Sequence, residues 1–180
     1  MDVRRVVTGH DDAGKAVFAS DETVAPTTLG LLPGTAFHQL WGADEPRRFP
    51  DDGSKPPHRT YFPPLGGFRF GFFTVPPDGG AGVPDDVDIE AALAEFAEKV
   101  PGLGEHMEPD DPGMHTTATV DFEVVLSGTP ALELDDGAKV DLAPGDTVVQ
   151  NGTRHRWSNP GDEPATLAVI LIGAHHDRLS

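Results

Sequence analysis

Residues 118–172 read ATVDFEVVLSGTPALELDDGAKVDLAPGDTVVQNGTRHRWSNPGDEPATLAVILI, and this stretch decides the fold. Short apolar blocks alternate with Gly, Pro, Asn and Asp every few residues. Such punctuation makes short strands joined by tight turns, because these four residue types supply the positive φ angles and fixed bends that turns require. Residues 118–126 are predicted as a strand that stops at Ser127-Gly128-Thr129-Pro130. Strands over 131–134 and 139–142 flank Asp135-Asp136-Gly137, a hairpin signal. Strands over 147–150, 154–158 and 165–172 follow, separated by Asn151-Gly152 and Asn159-Pro160-Gly161. The longest apolar run, 167–174 (LAVILIGA), suits a buried strand and falls far short of the roughly 18 residues of a membrane helix. Regular strands at this spacing specify an all-β sandwich or barrel.

Upstream, the pattern loosens. Strands are expected over 15–19, 35–41 and Phe68–Val75, the last (FRFGFFTV) bounded by Gly66-Gly67 and Pro76-Pro77. Residues 42–60 are polar and proline-rich and read as a loop. Over 86–100 the period changes to that of a helix, with Ile89, Leu93, Phe96 and Val100 predicted on one face, Asp85 or Asp86 as the cap and Pro101-Gly102 as the stop. The expected organisation is one domain over 1–180. Its parts are an N-terminal extension over 1–112, with strands, loops and one surface helix, and a regular core over 113–172.

Composition narrows the function. The 180 residues contain no cysteine, which removes disulfides, thiolate metal sites and cysteine nucleophiles. A net charge of −17 repels phosphate backbones and anionic lipid, so neither nucleic acid nor membrane is expected as a partner. The opening MDVRRVVTGHDDAGK has no apolar run behind its arginines, so a cytoplasmic protein is expected.

Chemistry-bearing residues concentrate in the regular half. His115, Thr117, Thr119 and Asp121 stand at even offsets, and so do His155, Trp157 and Asn159; in strands each set shares one face. Two imidazoles and a carboxylate facing a barrel interior form the ligand set of an open metal site. Histidines also occur in barrels as hydrogen-bonded core residues, and spacing alone leaves both readings open. Glu123 keeps the parity of Asp121, as a candidate for proton transfer or as a residue at the solvent edge.

Residues 113–172 resemble the cupin superfamily. Its first motif runs G-(x)5-H-x-H-(x)3–4-E-(x)6-G and its second G-(x)5-P-x-G-(x)2-H-(x)3-N. His115 stands at the first histidine, Asp121 at the glutamate and Gly128 at the closing glycine. Gly145 opens the second motif, and Gly152, His155 and Asn159 fit its end. Thr117 replaces the second histidine, Gln150 stands at the proline, and the segment from Gly145 to His155 is one residue short.

The resemblance implies a cupin-type double-stranded β-helix (a jelly-roll barrel) holding a divalent transition metal, Fe, Mn, Ni or Zn, on His115, Asp121 and His155. Thr117 and Trp157 are the expected substrate contacts and Glu123 the catalytic candidate. It also implies a homodimer and a metal-dependent enzyme acting on a small carbonyl, hydroxy-acid or phenolic molecule. A dioxygenase is favoured over a lyase, isomerase or cyclase, or over a barrel that only binds its ligand.

Overall fold

In the computed structural model, which describes residues 2–80, 82–84 and 86–179, every named strand pairing is antiparallel. The elements are β1 (Val3–His10), β2 (Ala16–Val24), β3 (Thr27–Thr28), β4 (Ala36–Ala43), β5 (Phe68–Val75), α1 (Ile89–Lys99), β6 (Thr119–Ser127), β7 (Ala131–Glu133), β8 (Lys139–Asp141), β9 (Thr147–Asn151), β10 (Arg156–Ser158) and β11 (Ala165–Gly173). The fold is the expected all-β barrel with one helix. A six-stranded sheet runs β3-β4-β5-β11-β6-β9, a three-stranded sheet runs β10-β7-β8, and β1 and β2 form a separate hairpin. No helix among the described residues is long and apolar enough to cross a membrane.

Strand β11 is the centre of the large sheet, and its sequence explains why. Leu167, Val169 and Leu171 alternate inward and are buried, while Ile170 and Ile172 face out. Paired on both sides, by β5 and β6, it leaves no edge open. Val75 and Val125 join those inward residues in one core cluster, against which Phe73, Leu142 and Trp157 pack. Trp157 lies on the small sheet, so the two sheets face each other across this cluster. A second cluster, Leu29, Phe37, Val100 and Leu103, joins the N-terminal segments and the end of α1 to the barrel.

Helix α1 begins later than expected. Asp88 caps it, accepting from the Ala91 backbone N–H at 3.1 Å; Asp86 does not cap it, and Asp85 lies outside the described residues. Its packed face also differs from the sequence reading. Ile89 and Leu93 are exposed (54% and 56%), whereas Ala92 and Val100 are buried and Phe96 packs on the second cluster. Offsets of 4 and 8 from Ala92 describe the stripe that touches the barrel.

Two strands had no sequence signal strong enough to be read, β1 and β3. The loop over 42–60 is held by Arg69, which points inward from β5. Its guanidinium donates to the carbonyls of Ala43 (2.9 Å), Thr60 (2.8 and 3.2 Å) and Phe68 (2.9 Å) and to the Asp44 carboxylate (2.6 Å). A buried guanidinium is tolerated because every direction of its fork finds an acceptor. Burial raises the Asp44 carboxyl, but the hydrogen bonds from Arg69 and the Arg59 backbone, with the nearby positive charge, together outweigh it and the net shift is downward.

The turn after β6 depends on one glycine. Gly128 has φ +77°, and a Cβ there would lie 2.5 Å from the Ala165 Cα. The left-handed backbone and the close passage of β11 both demand glycine. Gly128→Ala should therefore destabilise the fold by about 1–3 kcal/mol, and thermal unfolding should show a melting temperature lower by roughly 2–4 °C per kcal/mol. An unchanged midpoint would mean that the turn relaxes freely.

Candidate functional site

The inner face of β6 carries the unusual chemistry. Thr119, Asp121, Glu123 and Val125 alternate inward as the parity predicts, and Asp121 (3%) and Glu123 (5%) are almost fully buried. Asp121 Oδ1 and Glu123 Oε2 find no hydrogen-bond partner among the described residues. Burial pushes the Asp121 carboxyl up to about 6, against a smaller downward pull from Thr119. Burial, helped by the nearby Asp121 charge, pushes Glu123 up to about 8. Two carboxyls on one apolar wall resist simultaneous ionisation, so the pair retains a proton at neutral pH.

Opposite stand two imidazoles. His115 and His155 exchange backbone hydrogen bonds, N–H to carbonyl, at 3.0 Å in both directions. This bridge fixes their rings 4.2 Å apart, centroid to centroid, tilted by 47°. The His115 Nδ1 lies 3.0 Å from the Gly113 carbonyl, so it carries the proton and leaves Nε2 with a free lone pair. His155 Nδ1 lies 2.9 Å from the Thr153 carbonyl and 2.8 Å from the Gln150 side-chain amide. The carbonyl selects the same tautomer as in His115; the amide N–H selects the other. Burial keeps both rings neutral. It pushes His155 down to about 4, with the His115 charge adding, and it lowers His115 against the hydrogen bond to Gly113.

These groups share a cavity of about 450 Å³, within the range of roughly 300–1,000 Å³ typical of small-ligand sites. Asp121, Glu123, His115, His155 and Trp157 all line it. Met107, Gly113 and His115, from the segment over 107–115, also belong to the lining, and Met107 bridges to His115. Charge fastens that segment. Arg154 donates to Glu108 (2.7 and 2.8 Å), Asp111 (2.6 Å) and Asp135 (3.0 Å), and Arg156 donates to Asp111 (2.9 Å) and Glu133 (2.7 and 3.1 Å).

Residues 105–171, which contain both histidines and both carboxyls, match the cupin domain family. This chain carries a cupin domain. Over 61 residues it is 48% identical to the oryzines biosynthesis cluster protein J of Aspergillus oryzae, covering 34% of each chain, so it spans about a third of that protein's length. Over 174 residues it is 27% identical to the cupin-domain-containing oxidoreductase srdB of Neurospora crassa, covering 93% of this chain and 72% of that one. Among solved structures it is similar to a predicted oxalate decarboxylase from Thermotoga maritima (15% identity, 83% and 93% coverage, TM-score 0.44). It is also similar to a Cupin 2 conserved barrel domain protein from Salinispora arenicola (18% identity, 82% of both chains, TM-score 0.41).

At this site the expected metal ligands are only partly gathered. The two imidazoles meet, and Asp121 shares their cavity. Yet among the described residues no three His, Cys, Asp or Glu side chains converge closely enough to hold an ion. The pairing explains the gap: Asp121 stands opposite Gln150 across β6 and β9, and the Gln150 amide takes the place beside His155. In donor chemistry the site fits a divalent ion, with neutral imidazoles and an orphaned buried carboxylate oxygen.

Of the expected substrate contacts, Trp157 lines the cavity and Thr117 does not. Thr117 is buried (1%) and its hydroxyl is engaged with that of Thr119 at 2.8 Å. His106 bonds the Thr116 carbonyl and stays out of the lining. Asn159 ties β10 to β5 through the Val75 carbonyl (3.0 Å).

The sequence reading missed Gln150 as a contact of His155, and it missed Phe37, Tyr61, Phe62, Phe73 and Phe96 in the lining. Strand parity could have found Phe73, which alternates with Gly71 and Val75. Nothing in the proline-rich run around Tyr61-Phe62 marks those two.

The fastening by Arg156 has a pH signature. Its hydrogen bonds hold Glu133 below the ordinary value of 4.5. A depressed carboxyl stabilises the fold above its unfolded pKa, and that stability is lost as pH falls through the folded value. Arg156→Met should therefore flatten the fall of melting temperature below about pH 4.5, measured by calorimetry, and leave the midpoint less changed at low pH than at pH 7.

Proposed function

We propose that this cupin is a metal-dependent enzyme acting on a small organic molecule held in the cavity. The observation that carries the reading is the presence of two neutral imidazoles and two buried carboxyls, each with one oxygen unpartnered among the described residues, at one apolar cavity. His115 and His155 would hold a divalent transition ion, Fe, Mn, Ni or Zn, with Asp121 as the carboxylate that completes the set. Such an ion, when bound, supplies a Lewis acid and open coordination positions. Glu123, whose carboxyl keeps its proton at neutral pH, is the proton donor toward bound substrate. Trp157 and the aromatic wall orient the molecule and exclude water. Relatives named as oxidoreductases support oxidation over lyase chemistry, and a dioxygenase using O2 as oxidant is the finer reading.

Protein purified without a histidine tag and reconstituted with Fe, Mn, Ni or Zn should hold close to one ion per chain by elemental analysis. His155→Ala should lose most of it, while Thr117→Ala should not. Retention of the ion by His155→Ala would place the metal elsewhere and sink the proposal.

We further propose that a second copy of this chain covers the outer face of the large sheet. Phe70, Ile170, Phe122 and Val149 stand opposite one another across β5, β11, β6 and β9, with Ile172, Val124 and Leu126 beside them, all exposed. These rows carry no charged side chain, on a chain whose net charge is −17. Two copies repel elsewhere and can approach on this uncharged ground, where a two-fold axis matches the patch to itself. Light scattering at micromolar concentration should give a dimer for the wild type and a folded monomer for Phe122→Lys. A monomeric wild type would refute the pairing.

A further inference from the structure

The interior wall restricts what can enter. Phe37, Tyr61, Phe62, Phe73, Phe96 and Trp157 all line the one cavity. Their rings are set at varied angles: Phe37 and Phe73 stack at 5.4 Å, Phe37 and Tyr61 meet edge to face at 5.5 Å, and Tyr61 and Phe62 at 5.1 Å. A wall of alternating ring faces and edges offers a flat guest both kinds of aromatic contact. An aliphatic guest would need no such arrangement.

The polar side chains gather on one part of the same lining. His115 and His155 are joined through their backbones, and Asp121 and Glu123 share the inner face of β6. A guest's oxygen can reach these groups while its ring lies against the aromatic wall.

We infer that the substrate of this site is an aromatic molecule, with its ring against the six aromatic side chains and a hydroxyl or carbonyl oxygen toward His115, His155, Asp121 and Glu123. This inference rests on the cavity being the active site, as proposed above, and narrows that reading: phenols and aryl ketones are preferred over saturated molecules of the same size.

The test uses two probes of similar size on the full chain at pH 7, both as purified and after loading with Mn(II): 2-naphthol (aromatic) and 2-decalol (saturated). Calorimetric titration should show 2-naphthol binding both forms and 2-decalol binding about 2- to 10-fold more weakly. Trp157→Leu should narrow the gap between the two without changing the metal content. Equal or tighter binding of 2-decalol overturns the inference while leaving the metal enzyme standing. Binding of neither overturns it as well, and a metal content indifferent to His155→Ala would remove the reading beneath it.

Discussion

Strand β6 must bury one of its two faces, and the residues on that face include two carboxyls. Everything at the site follows from that constraint. The period of two sends Thr119, Asp121, Glu123 and Val125 inward together; no slip of one residue is possible without driving Phe122 and Val124 into the interior instead. Pairing to β11 on one side and β9 on the other holds the register. Buried carboxyls with an oxygen left unpaired cost stability, and the barrel supports them because its core elsewhere is well packed around Leu167, Val169 and Leu171. Such a local sacrifice is the usual mark of a functional surface.

The second constraint is the backbone bridge between His115 and His155. These residues lie forty positions apart, and neither belongs to a named strand. Reciprocal main-chain hydrogen bonds bring them together, so their rings face one another whatever surrounds them. Side-chain partners then refine each ring: a single carbonyl for His115, and a carbonyl with the Gln150 amide for His155. That asymmetry gives the two imidazoles different readiness to accept a ligand. Gln150 also separates His155 from Asp121, because it is the cross-strand neighbour of the aspartate.

Much of this was legible in the chain itself. Alternation and turn residues marked β6 through β11 to within a few positions, and parity alone placed Asp121, Glu123 and Trp157 toward the interior. Gly128 stood at the end of its motif for a steric reason that the structure makes plain. What escaped had no local signature. Strand β1, VRRVVTGH, lacks clean alternation and pairs only with β2 in a hairpin of its own. Tyr61 and Phe62 sit among prolines, where no period operates, and only the tertiary path carries them into the wall. On α1, Ile89 and Leu93 looked like core because of their chemistry, but the helix touches the barrel chiefly by its later turns. Thr117 had the right parity and still failed to reach the cavity, since a neighbouring hydroxyl satisfied it first.

The segment over 107–115, which contributes to the cavity lining, is fastened differently from the barrel walls. Glu108 and Asp111 are gripped by arginines at partly exposed positions, while the barrel walls adhere through apolar contact. Dissolved ions weaken the first kind of attachment and hardly touch the second; the Debye length shrinks from about 10 Å at 0.1 M to about 3 Å at 1 M. Ionic strength thus bears on the hold of this segment and hardly on the apolar core beside it.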